Sequence, residues 1–235
     1  MLLTVLAAAA LVSPAPPEPA PAVDDFSRRL IDAALERTTR RVTYDGRYRR
    51  IGYPGGDVPD HVGVCTDLII RSYRAVGIDL QVTVHEDMTV GFPAYPTVWG
   101  LTRPDPSIDH RRVLNLRVFF RRRGSALPVT ADPDDYRPGD LVTWRLPSRL
   151  PHIGLVIDRR SPDGARPLIV HNIGRGPEVE DVLFAFPITG HYRYAGDRAA
   201  GVREDKTGGS AGSRPGNETV PSGEGRADLS PSPPR

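Results

Sequence analysis

The sequence predicts an α+β fold in which amphipathic helices precede and pack on an antiparallel β-sheet. Three observations lead there. Two stretches with helical apolar spacing come first, several short apolar runs with turn residues between them follow, and no repeat links the halves. The first helix is expected over residues 24–40, capped by Asp24 or Asp25, with Phe26, Leu30, Ile31, Ala34 and Leu35 on one face. A loop rich in Tyr, Gly and Pro covers 44–63. The second helix opens near Cys65 and carries Leu68, Ile69, Ser72, Tyr73 and Val76, and Gly77 supplies the left-handed residue that ends it. A long Pro-broken region is expected over 91–106. Strands are expected at 116–120, 140–144, 152–158, 168–172 and about 191–194, punctuated by Arg137-Pro-Gly139 and Ser161-Pro-Asp-Gly164.

Composition bounds the function. The 235 residues are 39% hydrophobic and 26% charged, with mean hydropathy −0.35. No run approaches the ~18 apolar residues that a spanning helix needs, so stable membrane insertion is not expected. Formal net charge is +2, which gives no reason to expect nucleic acid. Residues 1–12 form an apolar run of signal-peptide length, followed by small residues and five prolines. The expected plan is therefore a signal peptide and Pro-rich linker over 1–23, one domain over 24–196, and a disordered low-complexity tail over 197–235. That plan puts the protein outside the cytoplasm, in the periplasm or cell wall, as a monomer.

One cysteine, Cys65, excludes an intramolecular disulfide framework. A lone cysteine is either a small buried hydrophobe or a nucleophile. Its place at a loop–helix junction favours the second, because free N–H groups and the helix dipole stabilise a thiolate. A catalytic thiol is then expected to titrate below the free value of ~8.5. His152 opens one strand and His171 closes the next. If the two strands pair as a hairpin, the rings share a rim, which suits a base (His152) oriented by a second polar group (His171). Asp67, in the first helical turn, is read either as a helix-dipole partner or as a substrate-binding acid.

These residues resemble the NlpC/P60 cysteine peptidases, papain-like hydrolases of peptidoglycan. The matching stretches are Val64-Cys-Thr-Asp-Leu-Ile-Ile-Arg-Ser-Tyr-Arg-Ala-Val-Gly-Ile78, Pro138-Gly-Asp-Leu-Val-Thr-Trp144, His152-Ile-Gly-Leu-Val156 and Ile169-Val-His171. The chain departs from the pattern at Val64, where the family has Asp, and at Thr66-Asp67, where it has Ser-Gly. A closer similarity is to a bacterial family named as domain of unknown function 1287, through Gly63-Val-Cys-Thr-Asp67, Val84-His-Glu-Asp-Met88, Ile108-Asp-His-Arg-Arg112, His171-Asn-Ile-Gly174 and Thr189-Gly-His-Tyr-Arg-Tyr194. The resemblance implies a secreted hydrolase that cleaves amide bonds in peptidoglycan stem peptides through a thioester. Cys65 would be the nucleophile, His152 the base and His171 the third polar residue, with no cofactor required. It further implies Tyr53 beside the thiol; Asn172, next to His171, and Asp67 are expected in substrate binding.

Two other classes compete. One is a wall-binding module that kept the fold and lost the chemistry. The other is a metal-dependent peptidase using His85, Asp87 or His110, since His plus carboxylate suits zinc. Against the metal, the cluster of His85, Glu86, Asp87, Asp109 and His110 shows no ligand spacing, and is read first as loop hydrogen bonding and second as a groove wall. Arg111, Arg112, Arg117, Arg121, Arg122 and Arg123 form a basic patch, expected as solvated charge on an edge strand.

Overall fold

The computed structural model describes residues 23–196, so the expected signal segment and tail lie outside the described residues. Helix α1 is Asp25–Arg37. Asp24 caps it by accepting from the Ser27 N–H at 2.9 Å, and Leu30, Ile31 and Ala34 turn inward. Helix α2, Cys65–Ala75, buries most of its length and stops at Gly77, whose φ of 89° is the left-handed conformation anticipated there. In front of α2, strands β1 (Thr43–Tyr44) and β2 (Val62–Gly63) pair in parallel, setting Tyr44 opposite Gly63.

Two helices were not foreseen. Helix α3 is Leu80–Gly91. Its Val and Thr residues are weak helix formers, but the Asp79 cap and the stripe Leu80, Val84, Met88 at four-residue spacing carry it. Helix α4, Val113–Arg122, replaces the strand expected at 116–120. Val113, Leu116, Phe119 and Phe120 face the core together at three- and four-residue spacing, so the aromatic run is a helical stripe. The arginines accordingly do not lie on an edge strand. Arg112 sits over the Trp99 ring, Arg117 donates to the Thr189 carbonyl at 2.8 Å, and Arg122 pairs with Asp87 at 2.6 Å.

The sheet holds six strands in the order β3-β8-β4-β5-β6-β7, all antiparallel. They are β3 (Ala126–Leu127), β4 (Leu141–Arg145), β5 (Pro151–Arg160), β6 (Pro167–Asn172), β7 (Pro177–Glu180) and β8 (Ile188–Tyr192). Alternation sorts their side chains. Leu141, Ile153, Leu155, Ile157, Val170 and Tyr192 meet the helices, whereas Val142, Trp144, Val156 and Ile169 pack with Tyr136 and Leu183 on the other face. Buried Asp140 ties β4 to β8 by accepting from His191 at 2.7 Å and from Arg193 at 2.7 and 2.8 Å. The molecule is thus a helix layer on an antiparallel sheet. Among the described residues no helix is long and apolar enough to cross a membrane.

A buried ion pair seats α2. Asp67 receives two hydrogen bonds from Arg111, at 2.7 and 2.9 Å, and a third from the Val64 N–H at 2.6 Å. Both side chains are almost wholly buried, so removing one strands a charge in the interior. Arg111→Met is expected to cost about 3–5 kcal/mol in urea unfolding. A loss below about 1 kcal/mol would show instead that the pair behaves as a surface pair.

Candidate active site

The turn Gly63-Val64 delivers Cys65 as the first residue of α2, where backbone N–H groups are still unpaired. Three donors favour its thiolate: the N–H groups of Ile153 and Thr66, and the Tyr44 hydroxyl. Burial outweighs them. Cys65 is 4% exposed, and desolvation pushes its thiol up to about 11. The expectation of a thiol acidified below its free value is therefore corrected. A helix N-terminus cannot offset the loss of water around a charged sulfur.

The histidines meet as the hairpin reading required. Gly154 of β5 faces His171 of β6, and His152 Nε2 lies 2.8 Å from His171 Nδ1. The glycine is needed for that approach: a Cβ at 154 would stand 2.6 Å from Ile169 Cγ2 and 3.1 Å from His171 Cβ. Behind them, His171 Nε2 lies 2.9 Å from Glu180 Oε2, and Arg175 holds the other carboxylate oxygen of Glu180 at 3.0 Å. The Trp144 ring lies beside His152, with centroids 5.8 Å apart. Burial pushes His152 down to about 3, with His171 adding to the shift, and burial also lowers His171 against the opposing pull of Glu180. Both imidazoles are therefore neutral at pH 7.

The sulfur and the His152 ring are not hydrogen-bonded to each other. What β5 offers Cys65 is the N–H of Ile153, the next residue along the strand, which favours the thiolate. Ile153 lies just beyond the β5–β6 ladder, which starts at Gly154, so this part of β5 is open on the β6 side. Cys65 belongs to the helix-facing core, whereas His152 and His171 share the Trp144 face.

Other expected site residues land elsewhere. Tyr53 does not flank the thiol; its ring packs on His85 at 4.8 Å, and the phenol at Cys65 belongs to Tyr44, whose hydroxyl burial and the nearby thiol push well up. Asp67 has both oxygens engaged by Arg111 and Val64, which removes it from substrate binding. Asn172 is buried, and its Oδ1 accepts from the Gly174 N–H at 3.2 Å. Asp87 binds Tyr95 and Arg122, while Asp109 accepts from Asp105, Arg112 and Asn115. His110 is buried, and desolvation pushes it down to about 4. Among the described residues no group of three His, Cys, Asp or Glu side chains is placed to hold a metal.

Sequence reasoning missed Tyr44, Arg111 as a partner for Asp67, and Glu180. The alternation Glu178-Val179-Glu180 after a Gly-Pro turn was the available sign of a strand presenting two carboxylates on one face.

The molecule is thus an α+β domain with a cysteine at a helix N-terminus and a His–His–Glu chain running across β5, β6 and β7. The chain belongs to the family described as domain of unknown function DUF1287, whose model matches residues 31–194. It is also 46% identical over 194 residues to the uncharacterized protein YijF of Escherichia coli strain K12, spanning 82% of this chain and 94% of that one.

Two pH dependences follow. Alkylation of Cys65 by iodoacetamide is expected to keep rising with pH toward about 11; a plateau below ~8.5 would contradict the buried neutral thiol. Because His152 and His110 are held neutral, the unfolded chain binds more protons below the ordinary histidine value of 6.5. Unfolding free energy is therefore expected to fall as pH drops from 6.5 through the range down to about 4, and His110→Gln to flatten that slope.

Proposed function

We propose that this protein is a secreted cysteine hydrolase with a papain-like core of the NlpC/P60 type, cleaving amide bonds in peptidoglycan stem peptides. One observation carries the reading: His152, hydrogen-bonded to His171 on the neighbouring strand, is followed along β5 by Ile153, whose N–H is among the groups that favour the Cys65 thiolate. Acyl transfer needs a nucleophile, a base and an orienting group, and Cys65, His152 and His171 are residues of the types that supply them.

At rest the thiol of Cys65 and the imidazole of His152 are both neutral. Attack and proton transfer are therefore coupled: as the sulfur bonds to the substrate carbonyl carbon, its proton passes to Nδ1 of His152. The oxyanion is met by the free N–H groups that open α2 and by the Tyr44 hydroxyl. His152 then protonates the departing amine, leaving an acyl thioester on Cys65. Water attacks this thioester, giving up its proton to His152, and the acid leaves with Cys65 restored as a thiol. The apolar run over 1–12 and the small residues after it support export, and stem peptides offer an extracytoplasmic amide substrate to such a site.

A second reading has its own support. A sulfur only 4% exposed, with its thiol pushed up to about 11, also suits a wall-binding module without chemistry. Digestion of purified peptidoglycan, followed by mass spectrometry of the muropeptides, separates the two. Cleavage at one amide bond is expected with the native chain, unaffected by chelator, and is expected to disappear in Cys65→Ala and in His152→Ala while both variants stay folded. Full turnover by Cys65→Ala overturns the proposal, and binding without any change in the muropeptides favours the module.

A further inference from the structure

We propose that Glu180 is a positioning residue that fixes the direction of the proton chain, leaving Nδ1 of His152 as a bare lone pair. Its catalytic consequence rests on the function proposed above, whereas the proton arrangement itself does not.

Glu180 is engaged on both oxygens by donors, with Arg175 on Oε1 at 3.0 Å and the His171 ring on Oε2 at 2.9 Å. A carboxylate only accepts, so Nε2 of His171 carries its hydrogen. In a neutral ring Nδ1 is then a lone pair, and the contact at 2.8 Å obliges His152 to donate from Nε2. The remaining nitrogen of His152, Nδ1, is left without a proton. This is the nitrogen a base needs, and the tautomer is set two residues away by a side chain that touches neither the sulfur nor the His152 ring. The charged and titratable groups facing His171 are His152 from β5, Glu178 and Glu180 from β7, and Arg175 from the β6–β7 turn. Of these, Glu180 alone bonds to Nε2.

Arg175 makes the inference unusually testable. A guanidinium has no acceptor, so in Glu180→Gln the amide oxygen stays toward Arg175 and the amide NH2 is turned toward His171. Every step then reverses: His171 Nε2 accepts, its Nδ1 donates to His152 Nε2, and Nδ1 of His152 acquires the proton. The isosteric change should therefore harm the base more than removal of the side chain does.

The test uses the full chain labelled with ¹⁵N-histidine, with ring tautomers read by NMR at neutral pH. In the native protein His152 is expected to be protonated at Nε2. In Glu180→Gln it is expected to switch to Nδ1, and in Glu180→Gln/Arg175→Ala, where the amide is free to turn, to return toward the native form. A native His152 protonated at Nδ1, or tautomers unchanged in Glu180→Gln, overturns the inference. Muropeptide release provides the second arm: Glu180→Gln is expected to lose about 100-fold or more in kcat, and more than Glu180→Ala, with little change in KM. Full activity with a reversed tautomer would overturn the catalytic role of Glu180. Tautomers that reverse as described in a protein that cleaves no wall fragment would uphold the positioning and sink the proposed hydrolase instead.

Discussion

The register between β5 and β6 is the constraint on which the candidate site depends. With Gly154 opposite His171, both imidazoles fall on the Trp144 face and Nε2 meets Nδ1 at 2.8 Å. A slip of one residue would turn either ring to the helix-facing core, because side chains alternate along a strand. The slip is opposed by the whole ladder: Leu155 and Val170 are buried on one face, Val156 and Ile169 on the other. Gly154 completes the fit, since any side chain there would strike Ile169 and His171. The placement of the histidines is thus a consequence of core packing.

The thiol is placed by a separate device. Asp67 ties back to the Val64 N–H and is itself gripped by Arg111, so the turn that presents Cys65 is anchored through a buried ion pair reaching the 109–111 segment. β1 then lays Tyr44 opposite Gly63, bringing a phenol to the sulfur. Enclosure has an electrostatic effect. It removes water from both the sulfur and the imidazoles, and so favours neutral partners over a thiolate–imidazolium pair. Cys65 is thus held as a neutral thiol and His152 as a neutral ring, and the proposed reaction has to move the proton as the bond forms.

Much of this was legible in the sequence where the signal is local. The Asp24 cap, the apolar stripe of α1, the Gly77 stop and the strands carrying His152 and His171 each announce themselves within a few residues. So did the hairpin that brings the two histidines to one rim. What was missed depends on partners far along the chain. The aromatic run in α4 reads as a strand until Phe119 and Phe120 are seen packing on Tyr192 and Tyr194. The two-residue strand β1 exists only because β2 pairs with it, so nothing local marks Tyr44 as the phenol beside Cys65. The role of Asp67 followed the same rule: its first-turn position was visible, but its partner lies 44 residues away in Arg111.

The central claim is that the imidazole of residue 152 serves the sulfur of residue 65. A crystal structure with a peptidyl chloromethyl ketone bonded to Cys65 addresses it most directly, since the adduct mimics the acyl intermediate of the proposed reaction. The account requires His152 to turn Nδ1 toward the sulfur at hydrogen-bonding distance while Nε2 keeps its contact with His171. A ring that stays packed on Trp144 with Nδ1 directed away from the adduct would contradict it.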